Sequence, residues 1–271
     1  MPHPIGSLTR RAAVAVSLLA ACVVYPLPVV AQEPLADPPS TVEFMSRADI
    51  RMSAKALANE DPRFSWIAHW GGDLDLVDYV GGRLTFLADY QTVLGDELQP
   101  FDPNQGNYTL AVSSSVRVGR TEFASVFHHV SRHLGDRAKD FGIAWNTVNA
   151  RVLRRFALGE TTLDVRGEGG GVVARAYVDY SWVAIADVTL RRQVGSRVGV
   201  YGQGNWQTVG VDVERAGRRR QVGGRVEAGV LLSGVGGEIE LYGGFERMID
   251  ADPILQEPRD WAFAGFRLLT R

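Results

Sequence analysis

From about Val42 onward, apolar residues recur with a period of two. Phe44, Ala48, Ile50, Met52, Ala54 and Ala56 alternate with Arg47, Asp49, Arg51, Ser53 and Lys55. On a helix those charges would scatter over every side, whereas a strand collects them on one face. The pattern repeats along the chain. Phe64, Trp66, Ala68 and Trp70 oppose Arg63, Ser65 and His69, and Leu84, Phe86, Ala88 and Tyr90 oppose Arg83, Thr85, Asp89 and Gln91. Tyr180 to Leu190, Val222 to Val230, Ile239 to Phe245 and Ala262 to Leu268 alternate in the same way.

This spacing predicts twelve strands, near 42–57, 63–77, 80–94, 107–119, 121–133, 141–156, 160–171, 176–191, 196–211, 218–232, 237–250 and 259–271. The connections alternate between tight turns, such as Gly119-Arg120 and Ala157-Leu158-Gly159, and longer ones, such as Gly95 to Gly106, Leu134 to Asp140 and Gly170 to Arg175. A soluble sandwich also alternates, but it keeps its aromatics inside and seldom sustains runs this long. Long clean strands, aromatics near strand ends and short-inside, long-outside connections predict an all-β chain. The expected architecture is an antiparallel up-and-down transmembrane barrel of about twelve strands, with both termini in the periplasm. Reading the first segment as a helix would leave eleven strands and put one terminus on the wrong side.

The N-terminus changes the picture of where the chain goes. Arg10 and Arg11 precede an apolar run, Ala12 to Val24, that ends in Val29-Val30-Ala31 before Gln32. This has the form of a secretory signal, predicting a signal peptide over 1–31, a Pro-containing periplasmic leader over 32–41 and a single barrel domain over 42–271. Leu19-Ala20-Ala21-Cys22 also fits a lipoprotein cleavage box, and Cys22 is the chain's one cysteine. A single cysteine excludes a disulfide scaffold and a multi-cysteine zinc site. A net charge of −2 gives no electrostatic case for nucleic acid. The expected location is the outer membrane of a Gram-negative-type bacterium. The expected partners are outer-membrane lipids and the outer-membrane assembly machinery.

The mature chain resembles bacterial outer-membrane β-barrels in general. Phe101 to Tyr108 and His129 to Asp136 look like stretches of uncharacterised envelope barrels. The second stretch carries a His-x-Ser pair on one strand, similar to the outer-membrane lipid hydrolases, phospholipase A and the lipid A deacylase. That resemblance implies lipid acyl hydrolysis. The residues arrive at the same chemistry independently. On the fifth strand Glu122 and Arg132 must avoid lipid, so the odd residues Phe123, Phe127, His129 and Ser131 face outward. On the sixth, Ala144, Asn146 and Val148 share the outward face. An odd pairing sum of 275, which centres the turn between Arg137 and Ala138, sets His129 opposite Asn146 and Ser131 opposite Ala144. Serine as nucleophile, histidine as base and a third group fixing its tautomer form the logic of a hydrolytic triad. Asp136 and Asp140 are rival orienting groups. His and Ser near a strand end are also ordinary interfacial residues.

Seventeen charged residues, among them Arg47, Asp73, Asp75, Arg83, Glu122, Arg166, Glu168, Arg225, Glu227, Glu240 and Glu246, are expected to point into the lumen. Mixed signs in a narrow interior should pair across it, which favours a salt-bridged structural lumen over a pore with segregated charge. The alternative to a hydrolase is therefore a passive pore or a structural envelope barrel without catalysis. No cofactor is expected. Asp96, Glu97 and Asp102 could hold Ca²⁺, although a solvated acidic loop is the simpler reading.

Overall fold

The structure is a computed structural model and describes residues 39–270, so the expected signal peptide and most of the leader lie outside the described residues. Twelve antiparallel strands close into a barrel, each hydrogen-bonded to its chain neighbours and the first to the last. They are β1 (Glu43–Ala58), β2 (Trp66–Asp78), β3 (Arg83–Gly95), β4 (Asp102–Val118), β5 (Thr121–Leu134) and β6 (Ile143–Leu158). The circuit is completed by β7 (Thr161–Ala176), β8 (Tyr180–Gln193), β9 (Val198–Val211), β10 (Gln221–Ser233), β11 (Gly237–Asp252) and β12 (Glu257–Thr270). A single helical turn, α1 (Val213–Ala216), sits in the β9–β10 loop. Closure leaves no sheet edge, so the backbone of the span is hydrogen-bonded from strand to strand all the way round.

Two expected boundaries are corrected. β4 begins at Asp102 rather than near 107, so the β3–β4 loop spans only 96–101. Pro103 cannot donate to the ladder, and it is accommodated where the β3–β4 register shifts between Val93 and Leu94. β7 continues to Ala176 rather than ending near 171. Its Gly169-Gly170-Gly171 run carries no side chains and so no alternation. The glycine is nevertheless required, because a Cβ on Gly170 would come within 2.0 Å of the Val148 carbonyl oxygen.

The alternation sorts side chains as the periodicity predicts. Phe44 is 75% exposed and Phe245 67%, and Phe123, Phe127, Val112 and Leu241 share the outer wall. An apolar surface of this extent suits a barrel whose wall is bathed in lipid. The opposite positions are buried charges. Arg83 is 0% exposed, and its guanidinium reaches Glu122 Oε1 at 2.9 Å and Asp75 Oδ2 at 3.0 Å. Glu168 accepts from Arg151 at 2.5 Å, Arg166 at 2.7 Å and His128 Nε2 at 2.7 Å. Arg267 pairs with Glu227 at 2.9 Å and also with Glu240, and Lys55 pairs with Glu246. The expected pairing of opposite charges is found, but along the inner wall, between strands one or two apart, rather than across the lumen.

The end of the barrel formed by the longer loops carries a feature absent from the periodic pattern. Between Met248 and Asp252 the β11–β12 register shifts, and Ile249, Asp250, Ala251 and Asp252 are all buried. Asp250 has a φ of 47°. This strap folds inward. Its Asp250 carbonyl accepts from Arg132 Nη1 at 2.6 Å and its Ala251 carbonyl from Gln105 Nε2 at 2.8 Å. The Asp250 carboxylate takes two hydrogen bonds from Arg218, at 2.6 and 2.7 Å, and one from the Tyr180 hydroxyl at 2.6 Å. Asp252 takes Arg63 at 2.5 Å and Arg137 at 3.0 Å. Three other extracellular loops, carrying Arg63, Arg137 and Arg218, therefore converge on this one.

Candidate active site

The β5–β6 pairing has the expected sum. His129 lies opposite Asn146, Ser131 opposite Ala144 and Arg132 opposite Ile143. Glu122 and Arg132 are buried in the lumen, so His129 and Ser131 are on the outer wall, toward the extracellular ends of their strands. His129 Nδ1 donates to Asn146 Oδ1 at 2.7 Å. An amide oxygen only accepts, so with the amide in this orientation the proton of the contact is on Nδ1, and Nε2 is the nitrogen turned away from Asn146. An imidazole base needs that tautomer.

Ser131 shares the face with His129, one pleat further toward the mouth. Among the described residues its hydroxyl makes no hydrogen bond to His129. Two residues along a strand are ~7 Å apart at Cα, so the two side chains must lean together to meet. The rival orienting groups are elsewhere: Asp136 accepts from Arg137 Nε at 3.1 Å, and Asp140 is exposed in the β5–β6 loop. Asp96 caps its own loop by accepting from the Phe101 backbone N–H at 3.2 Å, beside exposed Glu97. Among the described residues no cluster of three or more His, Cys, Asp or Glu is placed to hold a metal ion.

Of the surroundings of Ser131, the sequence supplies Ala144 and Asn146 on β6 but not the neighbours on β4 and β7. Its partner on β4 is Tyr108. Tyr108 belongs to an aromatic ladder on the wall: Trp70 and Tyr90 are stacked at 6.0 Å, Tyr90 and Tyr108 are 4.7 Å apart, and His133 meets Tyr108 edge-on at 5.4 Å. On the other side the wall is low, with Ala144 opposite Ser131 and Ala174 opposite Asn146. The wall beside Ser131 thus carries aromatic rings on the β4 side and methyl groups on the β6 side. Each of these residues lies on the alternating face, but only the register of six strands, β2 to β7, brings them into line.

No protein-family model and no curated protein matches this sequence. Solved structures do match. The chain is similar to the outer-membrane phospholipase of Salmonella typhi, solved as a dimer with bound calcium, at a TM-score of 0.52 and 9% identity, over 82% of this chain and 90% of that one. It is similar to the Escherichia coli outer-membrane phospholipase A at a TM-score of 0.51 and 10% identity, over 82% of this chain and 92% of that one. A structure of an asparagine-to-alanine active-site mutant of the E. coli enzyme matches at 0.51 and 11%, over 88% and 94%. These likenesses establish the fold, a closed twelve-stranded barrel of the Gram-negative outer-membrane type.

Proposed function

We propose that the chain is a lipid acyl hydrolase of the outer leaflet, with Ser131 as nucleophile, His129 as base and Asn146 as the group that orients the base. The hydrogen bond from His129 Nδ1 to Asn146 Oδ1, on a lipid-facing wall with Ser131 on the same face, carries the reading. The fold shared with outer-membrane phospholipases supports it, as does the presence of an active-site asparagine in one of them. An acyl ester of a membrane lipid is the substrate that reaches such a place.

In this reading, Ser131 Oγ attacks the ester carbonyl carbon as His129 Nε2 takes its proton. The tetrahedral intermediate collapses, and the imidazolium returns the proton to the departing alkoxide, releasing the deacylated lipid. Water then attacks the acyl-serine with the same base, freeing the fatty acid. Asn146 remains a neutral acceptor throughout. Hydroxyl-to-imidazole contacts tighten when substrate is bound, consistent with the open Ser131–His129 pair.

The test is fatty-acid release from phospholipid or lipopolysaccharide vesicles by refolded barrel, beside Ser131→Ala and His129→Ala. Release by the native chain and not by folded variants is expected. Equal release by all three, or none by any, would overturn the proposal.

A further inference from the structure

The lumen is not filled evenly. Below the strap lies a cavity of about 140 Å³, lined on one side by Trp145, Val183, Ile185 and Val209 and on the other by polar groups of β3 to β5. Most charges that reach it are matched. Asp89 accepts from His69 Nδ1 at 3.1 Å, His128 is held by Glu168, and Arg166 by Glu168 and Asp187. Arg132 differs. It is 6% exposed, and its two hydrogen bonds go to neutral oxygens, Asn107 Oδ1 at 3.4 Å and the Asp250 carbonyl at 2.6 Å. The carboxylates of the strap above it are committed to Arg218 and Tyr180, and to Arg63 and Arg137. Among the described residues no carboxylate stands within ion-pair distance of Arg132, and those of Asp250 and Asp252 attract it only from farther off.

Among the described residues, the other strongly buried arginines and Lys55 follow the rule that a buried charge is paired. The exception is the one that lines a cavity with an apolar far wall. We infer that the cavity is a binding site for a small organic monocarboxylate, whose anionic group supplies the counter-charge to Arg132 and whose body packs against Trp145, Val183, Ile185 and Val209. The volume sets the size. A buried apolar cavity of ~150 Å³ takes a benzene ring, so this one takes a ligand of about benzoate size. The chemistry limits the charge. Asp89 Oδ1 also lines the cavity side and is buried without a hydrogen-bond partner. It repels a second negative group and accepts from a donor on the ligand. This site is separate from the outer wall and does not depend on the hydrolase proposal.

Calorimetric titration of the detergent-solubilised barrel with benzoate tests it. Benzamide has the same shape without the charge, and phthalate adds a second carboxylate. Saturable benzoate binding is expected, at least ~10-fold tighter than either analogue. Arg132→Gln removes the cation. Ile185→Trp fills the apolar side and leaves Arg132 in place, so a folding failure of the first variant does not end the test. Each folded variant should weaken benzoate binding at least ~10-fold, and Ser131→Ala should leave it unchanged. No saturable binding to the native barrel, benzamide binding as tightly as benzoate, or an Ile185→Trp barrel that binds as the native one does would overturn the inference.

Discussion

His128 and His129 are adjacent in the chain and live in different solvents. His128 points into the lumen, where its Nε2 donates to the Glu168 carboxylate at 2.7 Å, with Arg151 Nη2 3.5 Å away. His129 points to the outer wall, where its Nδ1 donates at 2.7 Å to an uncharged amide, Asn146 Oδ1. The inner partner can be a carboxylate because Arg151 and Arg166 neutralise it. The outer partner has no such cations around it, and a bare carboxylate facing hydrocarbon would cost several kcal/mol. An amide orients the ring without that cost. The same residue type thus meets a charged partner on one face and a neutral one on the other, and the pleat alone decides which.

Substitutions on the two faces should separate the two roles. The largest effect is expected on the wall: folded His129→Ala should lose acyl hydrolysis by a factor on the order of 10⁴, with unfolding in urea shifted by less than about 1 kcal/mol. Glu168→Ala should show the reverse. It strands Arg151, Arg166 and His128 around a missing charge, and a cost of about 3–5 kcal/mol is expected in the same unfolding assay. Hydrolysis per folded molecule should persist. A Glu168→Ala barrel as stable as the native one would show that the lumen network is not cooperative.

Asn146→Ala should fall between these. It leaves the base present but free to turn, so a loss of roughly 10²–10⁴-fold in hydrolysis is expected. Asn146→Asp should fold less well, since it puts a carboxylate on the lipid face. Folding yield by heat-modifiable gel migration and turnover of the folded fraction distinguish the two outcomes.

Much of this was legible from period-two alternation. The face assignment followed from two charges, Glu122 and Arg132, that cannot meet lipid, and the register from the requirement that outward residues pair with outward residues. Those two constraints, with the turn centred between Arg137 and Ala138, are enough to set His129 opposite Asn146, as the β5–β6 ladder has them. Alternation fails where the chain leaves the period. Gly169 to Gly171 offers no side chain to alternate, and Pro103 reads as a loop residue although the β3–β4 bulge absorbs it. The strap was invisible because Ile249, Asp250 and Ala251 break the ladder, and an inward fold at the mouth is set by loops distant in sequence. The exceptional position of Arg132 could not be seen either, because the absence of a carboxylate at ion-pair distance belongs to the packed lumen as a whole.

The strap gives the next effect in size. Asp250→Ala removes the acceptor for Arg218 and Tyr180, and Asp252→Ala the one for Arg63 and Arg137. The double variant should let the mouth open, read as small channel events in planar bilayers where the native barrel is silent. Native conductance equal to that of the variant would mean the strap does not close the path.

A smaller, pH-dependent effect is expected in the β1–β2 loop. The Arg63 side chain hydrogen-bonds Asp61, at 2.7 Å and 3.0 Å, and holds its carboxyl below the ordinary aspartate range, with Arg259 adding to the effect. A depressed carboxyl stabilises the fold above its unfolded value of about 3.9, and the contribution is lost as pH falls through the lower folded value. The melting-temperature difference between the native chain and Asp61→Asn should therefore be constant above about pH 5 and shrink below about pH 4. The corresponding difference in unfolding free energy should not exceed ~1 kcal/mol, because the pair is partly solvated.

The wall site is tested most directly by the reactivity of one hydroxyl. A serine facing lipid without a base is inert, whereas one served by an oriented imidazole is acylated or phosphonylated. Refolded barrel treated with a lipophilic fluorophosphonate and mapped by mass spectrometry should carry the adduct on Ser131, at a rate that collapses in His129→Ala and falls in Asn146→Ala. An unlabelled Ser131, or one labelled equally fast without His129, would contradict the assignment.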